Sequence, residues 1–322
     1  MTIPSIRMLA ACALLLCGVA QGKNKKTDPN EIGNRDIGKG VNFYSIEKEI
    51  ALGKQLAEEV RRQSKLVEDP LIAEYVNRLG QNLARNSDAG IPFSFQIVEG
   101  EQLNAFALPG GFIFVNTGLI EATETEAELA GAMAHEIAHV AARHMTRQAT
   151  RAKIADLASL PLILLGGWTG YAVRQGASVA IPLGFLTFSR GFESEADMFG
   201  LQYMYKAGYD PTASIDLFER MLSLEKRRPG TIAKVFNTHP MTEDRIRKTQ
   251  KNIDQMLPGR PEFVVTTSEF NEIRARLKAR YVPRKDGDPN QPRLRRSPAA
   301  SQPVGDEDGE EQPTLKRRDL VE

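Results

Sequence analysis

Residues 135–139 read His-Glu-Ile-Ala-His, and this stretch constrains the chain more than any other. Histidines at i and i+4 share one face of an α-helix, so His135 and His139 can both reach a single ion. Glu136 can reach a water on that ion without binding the ion itself, which is the place of a general base. The pattern needs a helix, and the flanking residues supply one. Thr123 and Thr125 are each followed three residues later by a glutamate, Glu126 and Glu128, as in a capping box. Helical spacing continues from there to about Arg147.

The segments before this helix change period. From Ser45 to Leu66, Ile46, Ile50, Leu56, Ala57 and Val60 fall at helical spacing behind a Ser45 cap. Asp69-Pro70 opens a second helix, with aspartate as cap, proline first and an apolar face of Ile72, Tyr75, Val76, Leu79 and Leu83. Residues 93–98 then alternate as a strand does, and 103–107 and 112–115 read as two more, joined by a Pro109-Gly110-Gly111 turn. A small antiparallel sheet ahead of the histidine helix is the expected arrangement. After it, helical period returns at 192–207, ending on Gly208, then at 211–226 and near 242–256. The fold class expected is α+β, mainly helical.

The ends carry different information. At 322 residues and a formal net charge of +1, the chain can bury a sizeable core and offers no basic surface that calls for nucleic acid. Arg7 precedes an apolar run from Met8 to Ala20 with small residues near its end, the form of a secretory signal peptide over residues 1–20. Cleavage there would remove both cysteines, Cys12 and Cys17; lipid attachment at a cysteine and a retained anchor are the alternatives. Residues 21–42 are polar and aperiodic and read as a linker. Residues 43–282 form the expected domain. The tail, 283–322, has six prolines and no aromatic residue and is expected to be disordered. The apolar stretch 157–188 is interrupted by Pro161, Gly166-Gly167, Gly170, Gly176 and Pro182, which suits a buried or membrane-touching hairpin better than a transmembrane helix.

A catalytic zinc site takes three protein ligands and keeps one position open. Residues 189–200 read SRGFESEADMFG, placing Glu193 and Asp197 on one helix face. Glu193 is the candidate third ligand, and Asp197 the acceptor that would fix a ligand histidine's tautomer. Glu195 points elsewhere and is the weaker candidate. Spacing alone also fits an acidic, solvated helix start favoured by the helix dipole. Of the four histidines, His144 stands five residues past His139, off the ligand face, and reads as structural.

Taken together, HEIAH, the FESEAD segment and Asn237-Thr238-His239-Pro240 followed by Asp244-Arg245 resemble the metallopeptidase family that includes HtpX, BepA and the CaaX prenyl protease. The stretches from Asn104 to Gly111 and from Val115 to Leu119 are similar to the segment before the zinc helix in its periplasmic members. The resemblance covers roughly residues 43–255. It implies a zincin fold of the gluzincin type, one Zn2+ per chain, Glu193 as third ligand and Asp197 as its supporting acid. It also implies that His239 lies near the metal, stabilising the transition state or occupying the open position, and that Arg245 lies near the site. Neither the multi-span membrane architecture of HtpX and the prenyl protease nor the helical repeats that follow the protease in BepA are expected here, so prenylated substrates and repeat-mediated partners are not carried over. The expected activity is endopeptidase cleavage of unfolded or misassembled proteins in the periplasm. A protein or peptide substrate would lie extended against a sheet edge at Asn104, Ala105, Phe106 and Ala107. The competing expectation is a zinc-bound chaperone or adaptor whose activity is latent because His239 blocks the metal. The 157–188 stretch would cover the cleft, touch a membrane or pack as core. The sequence leaves the oligomeric state undetermined.

Overall fold

The computed structural model describes residues 24–154, 188–227, 239 and 242–281. The signal peptide, nearly all of the apolar 157–188 stretch and the 283–322 tail lie outside the described residues. So do Asn237, Thr238 and Pro240 of the histidine-proline loop.

Helix α1 (Ile46–Gln63) starts where the Ser45 hydroxyl accepts from the Lys48 amide, and α2 (Pro70–Arg85) where Asp69 accepts from Leu71. The five apolar residues read on the face of α2 are all buried. Strands β1 (Ser94–Val98), β2 (Ala105–Leu108) and β3 (Phe112–Asn116) make one sheet in the order β1-β3-β2. Then come α3 (Thr117–Ala122), α4 (Glu126–Ala141), α5 (Arg190–Ala207), α6 (Ala213–Arg227), α7 (Glu243–Met256) and α8 (Ser268–Tyr281). Helix α8 has no counterpart among the expected helices, although Phe270, Ile273 and Leu277, at helical spacing, bury its inner face.

The sheet is mixed, which corrects the antiparallel expectation. β2 and β3 form the expected hairpin, with Leu108 opposite Phe112, but β1 runs parallel to β3, with Ser94 beside Phe112. Gly110 and Gly111 take the left-handed φ values (75° and 93°) that the tight turn requires, and a Cβ on Gly111 would stand 2.3 Å from the Pro92 carbonyl oxygen. Residues 99–104 carry the chain past the space that β3 fills, so β2 returns on the far side of β3 instead of beside β1. Alternation and turn residues fix strands and hairpins, not the order of strands that are not consecutive. The outer edge of β1 is covered by residues 65–67, through the bonds from Val67 N–H to the Ile97 carbonyl (2.9 Å) and from Glu99 N–H to the Lys65 carbonyl (2.8 Å). Among the described residues no strand pairs with the outer edge of β2.

Helix α4 is buried along almost its whole length, and its inner faces are built from Ala127, Ala130, Ala134 and Ala138. Small side chains let α5 come close. A Cβ on Gly200 of α5 would meet the His135 backbone at 3.2 Å. The single helix expected to reach Arg147 is interrupted. Arg143 takes a left-handed φ of 57°, and helix resumes over 144–154. A non-glycine residue in that conformation is costly, and here tertiary contacts offset the cost. Arg143 Nε donates to Glu49 Oε1 (2.8 Å) and Nη2 to the Tyr44 carbonyl (2.6 Å).

The segment ahead of Phe43 is packed onto the domain in its described part. Two 3-10 turns, Lys25–Thr27 and Pro29–Glu31, lead to Arg35, whose buried guanidinium pairs with Asp88 at 2.9 Å, and to buried Ile37. Composition had suggested a linker because this anchoring uses one arginine and few apolar residues.

Candidate metal centre

Four side chains converge where α4 meets α5. His135 and His139 come from one face of α4, Glu193 from the first turn of α5 behind the Ser189 cap, and His239 from the loop before α7. One ligand atom from each lies within 4.8 Å of every other, and all four residues are buried. The two histidine Nε2 atoms are 3.0 Å apart. Glu193 brings Oε2 to 3.4 Å from His135 Nε2 and Oε1 to 3.6 Å from His139 Nε2. His239 Nδ1 is 3.4 Å from His135 Nε2 and 2.8 Å from Glu193 Oε1.

This spacing fits a metal ion. Bonds of about 2.0–2.1 Å in a tetrahedron hold ligand atoms about 3.3–3.4 Å apart. Charge points the same way. Glu193 and Asp197 share the Arg245 guanidinium and Glu136 faces His239, so among the described residues here three buried acids meet one permanent cation, a balance that a divalent cation would restore. The buried Glu136 Oε2 also accepts no hydrogen bond among the described residues. The residues present therefore fit a metal held by His135, His139 and Glu193, with His239 Nδ1 beside the fourth position.

Asp197 and Arg245, the two residues expected near the ligands, lie beside the group. Asp197 Oδ1 lies 3.0 Å from His135 Nδ1, and Arg245 donates to Asp197 twice, from Nη2 at 2.6 Å and Nε at 2.9 Å. Arg245 Nη1 is also 3.1 Å from Glu193 Oε2, so one guanidinium bridges both acids. Burial would raise the Asp197 carboxyl, but the Arg245 charge outweighs it and holds the group below the usual aspartate range. Burial likewise opposes charge on Glu193, yet His239 and His135 hold it well below the glutamate range. For His135, burial favours the neutral ring, but Asp197 and Glu193 override it and lift the ring to about 10. Burial, with the charges of His135 and His239, pushes the His139 ring the other way, well below its ordinary value, so the site favours a proton on His135 and none on His139, and a metal bound there would have to displace the first.

Glu136 points into the centre, with Oε1 at 3.3 Å from His239 Nε2. Burial pushes its carboxyl above the usual glutamate range. The Ala107 backbone amide of β2 lies against it, so the open edge strand runs beside the expected base. Of the four residues expected there, Ala105, Phe106 and Ala107 lie on β2 and Asn104 just precedes it.

Glu195 does not join the ligand group. It faces His144, with Oε2 3.1 Å from His144 Nε2, and His144 Nδ1 lies 2.9 Å from His139 Nδ1. His144 lies outside the ligand group, as its spacing implies, but its contact with His139 is one that spacing does not predict. That contact depends on the left-handed Arg143, for which the chain carries no glycine or proline signal. A separate cavity of about 430 Å³ lies under the N-terminal segment at Arg35, Lys39, Glu49 and Arg143 and includes none of the four converging residues.

Comparison with known proteins gives a consistent picture. The model for peptidase family M48 matches residues 70–253. The beta-barrel assembly-enhancing protease of Escherichia coli is 30% identical over 245 residues, covering 74% of this chain and 50% of that protein. Its Yersinia pestis counterpart is 31% identical over 232 residues (69% and 48%), and the mitochondrial metalloendopeptidase OMA1 of Schizosaccharomyces pombe 35% over 189 residues (57% and 52%). The chain spans about half the length of these curated relatives. With its mainly helical zincin-like fold and its buried His-His-Glu-His group, the chain belongs to peptidase family M48.

Proposed function

We propose that this protein is a zinc-dependent endopeptidase that cuts unfolded or misassembled proteins in the cell envelope. The observation that carries this reading is the juxtaposition of three ligand side chains, a buried glutamate and an unpaired strand edge within one site. Zinc, when bound by His135, His139 and Glu193, supplies an acidified water and an electrophile for the scissile carbonyl. Glu136 takes the proton from the attacking water and delivers it to the leaving amine, so one water is consumed and one carboxyl and one amine are released. Its raised affinity for protons suits that task. Asp197 holds the His135 ring, and Arg245 holds both Asp197 and Glu193. The substrate backbone pairs with Asn104–Ala107, which makes recognition tolerant of side chains and selective for extended chain. The apolar leader read in the sequence supports an envelope location. Among the described residues no helix is long and apolar enough to cross a membrane.

A second reading has its own observation. His239 Nδ1 stands 2.8 Å from Glu193 Oε1 and 3.4 Å from His135 Nε2, where a fourth ligand would close the site. In this reading the protein rests as a zinc-bound chaperone or adaptor, with peptidase activity latent until His239 leaves. Cleavage of unfolded casein separates the two, measured on wild type, Glu136→Gln and His239→Ala. Wild-type activity lost in Glu136→Gln supports the open enzyme. Activity seen only in His239→Ala supports the latent one, and none in any of the three overturns both.

A further inference from the structure

We propose that His144 is a positioning residue for His139: it holds that ring in one tautomer and one orientation, and is itself held by Glu195. This rests on the metal reading above. His139 turns Nε2 to the ligand group and Nδ1 to His144 Nδ1, 2.9 Å away. Two imidazole nitrogens at that distance share one proton. A histidine that gives its Nε2 lone pair to a metal carries its proton on Nδ1, so His139 donates and His144 accepts. His144 must then carry its own proton on Nε2. That nitrogen lies 3.1 Å from Glu195 Oε2, a carboxylate oxygen that can only accept. Every proton along the line from His139 to Glu195 is thereby assigned.

The rest of the surroundings hold this line in place. His144 is fully buried, and its ring stacks on Phe192 with centroids 4.4 Å apart. Arg147 Nη1 donates to Glu195 Oε2 (3.3 Å), and Lys26 Nζ donates to Oε1 (3.0 Å). Lys26 sits on the N-terminal segment, which is pinned across α5. Arg35 Nη1 and Gln202 Nε2 donate to the Lys26 carbonyl at 2.7 and 3.0 Å. A side chain that only filled space at position 144 would need neither an acidic partner nor the left-handed residue before it.

The test is zinc affinity by chelator competition on the purified full chain, with the melting temperature of the metal-free protein recorded beside it. His144→Phe keeps the ring and its stacking but removes both nitrogens. His144→Asn keeps an acceptor where Nδ1 stands. His144→Phe should weaken zinc binding by about 10–100-fold, and His144→Asn should recover most of that loss. Unchanged affinity in His144→Phe, with only its metal-free melting temperature lowered, would overturn the proposal. Equal losses in the two variants would do the same. If His144→Phe does not melt cooperatively, Glu195→Leu decides: weaker zinc binding supports the proposal and wild-type affinity overturns it. A wild-type chain that takes up no zinc defeats the metal reading and this inference with it, whereas failure confined to the variants defeats this inference alone.

Discussion

The two histidines of α4 are supported in different ways. His135 has a carboxylate directly behind it: Asp197 Oδ1 at 3.0 Å, clamped by Arg245. His139 has a second imidazole behind it, and its carboxylate, Glu195, stands one ring further away, clamped by Arg147 and Lys26. The first support is compact. It uses one helix turn of α5 and one arginine of α7. The second draws in a helix break and a segment more than a hundred residues upstream. Both end in an acid held by cations, and both can fix a tautomer. They differ in how many parts must be in place. The direct support depends on one spacing, and the relayed one on tertiary structure.

Variants can sharpen this contrast. Glu136→Gln touches neither support and sets the reference. Casein cleavage should fall by about 10²–10⁴-fold while zinc content stays at the wild-type level. Asp197→Asn removes the charge from the direct support and should weaken zinc binding by about 10–100-fold in chelator competition. Glu195→Gln leaves an acceptor for His144 and should lose less. A larger loss in Glu195→Gln than in Asp197→Asn would invert the ranking. Gly200→Ala forces a methyl against the His135 backbone at 3.2 Å, so it strains the His135 side without removing a polar group. It should cost about 1 kcal/mol or more in denaturant melts.

The smallest effect comes from an acid remote from the metal. Buried Asp69 caps α2 and receives hydrogen bonds from Arg276 and Arg280 of α8, each at 2.7 Å. The Arg276 bond, foremost among its contacts, holds the carboxyl below the usual aspartate range. The unfolded chain then binds the proton more readily than the folded one. The stability Asp69 contributes is present above about pH 4 and is lost as pH falls through its lower folded value. Metal-free wild type should lose stability over that range, and Asp69→Asn should lose less. Equal losses would remove Asp69 as a purely structural baseline for the two metal-side acids.

What the sequence disclosed follows the same division. His135, Glu136 and His139 could be read together because about one helical turn spans them, and helix geometry turns spacing into position; for Glu193 and Asp197 that geometry gave only a shared helix face, and their roles came through the family resemblance. The caps at Ser45, Asp69 and Thr125 were legible for the same local reason. His239 and Arg245 came only through the family resemblance, since nothing local ties a loop histidine to a helix distant in the chain. The parallel pairing of β1 with β3 and the left-handed Arg143 were not legible, because both are set by chain path and tertiary contacts. The His144–Glu195–Lys26 line followed them out of reach.

Zinc per chain, measured on purified wild type, Glu136→Gln and Glu193→Ala, tests the central claim most directly. The account predicts about one zinc per chain in wild type, retention in Glu136→Gln and loss in Glu193→Ala. Wild type without stoichiometric zinc, or Glu193→Ala that keeps it as tightly, would contradict a metal centre built on His135, His139 and Glu193.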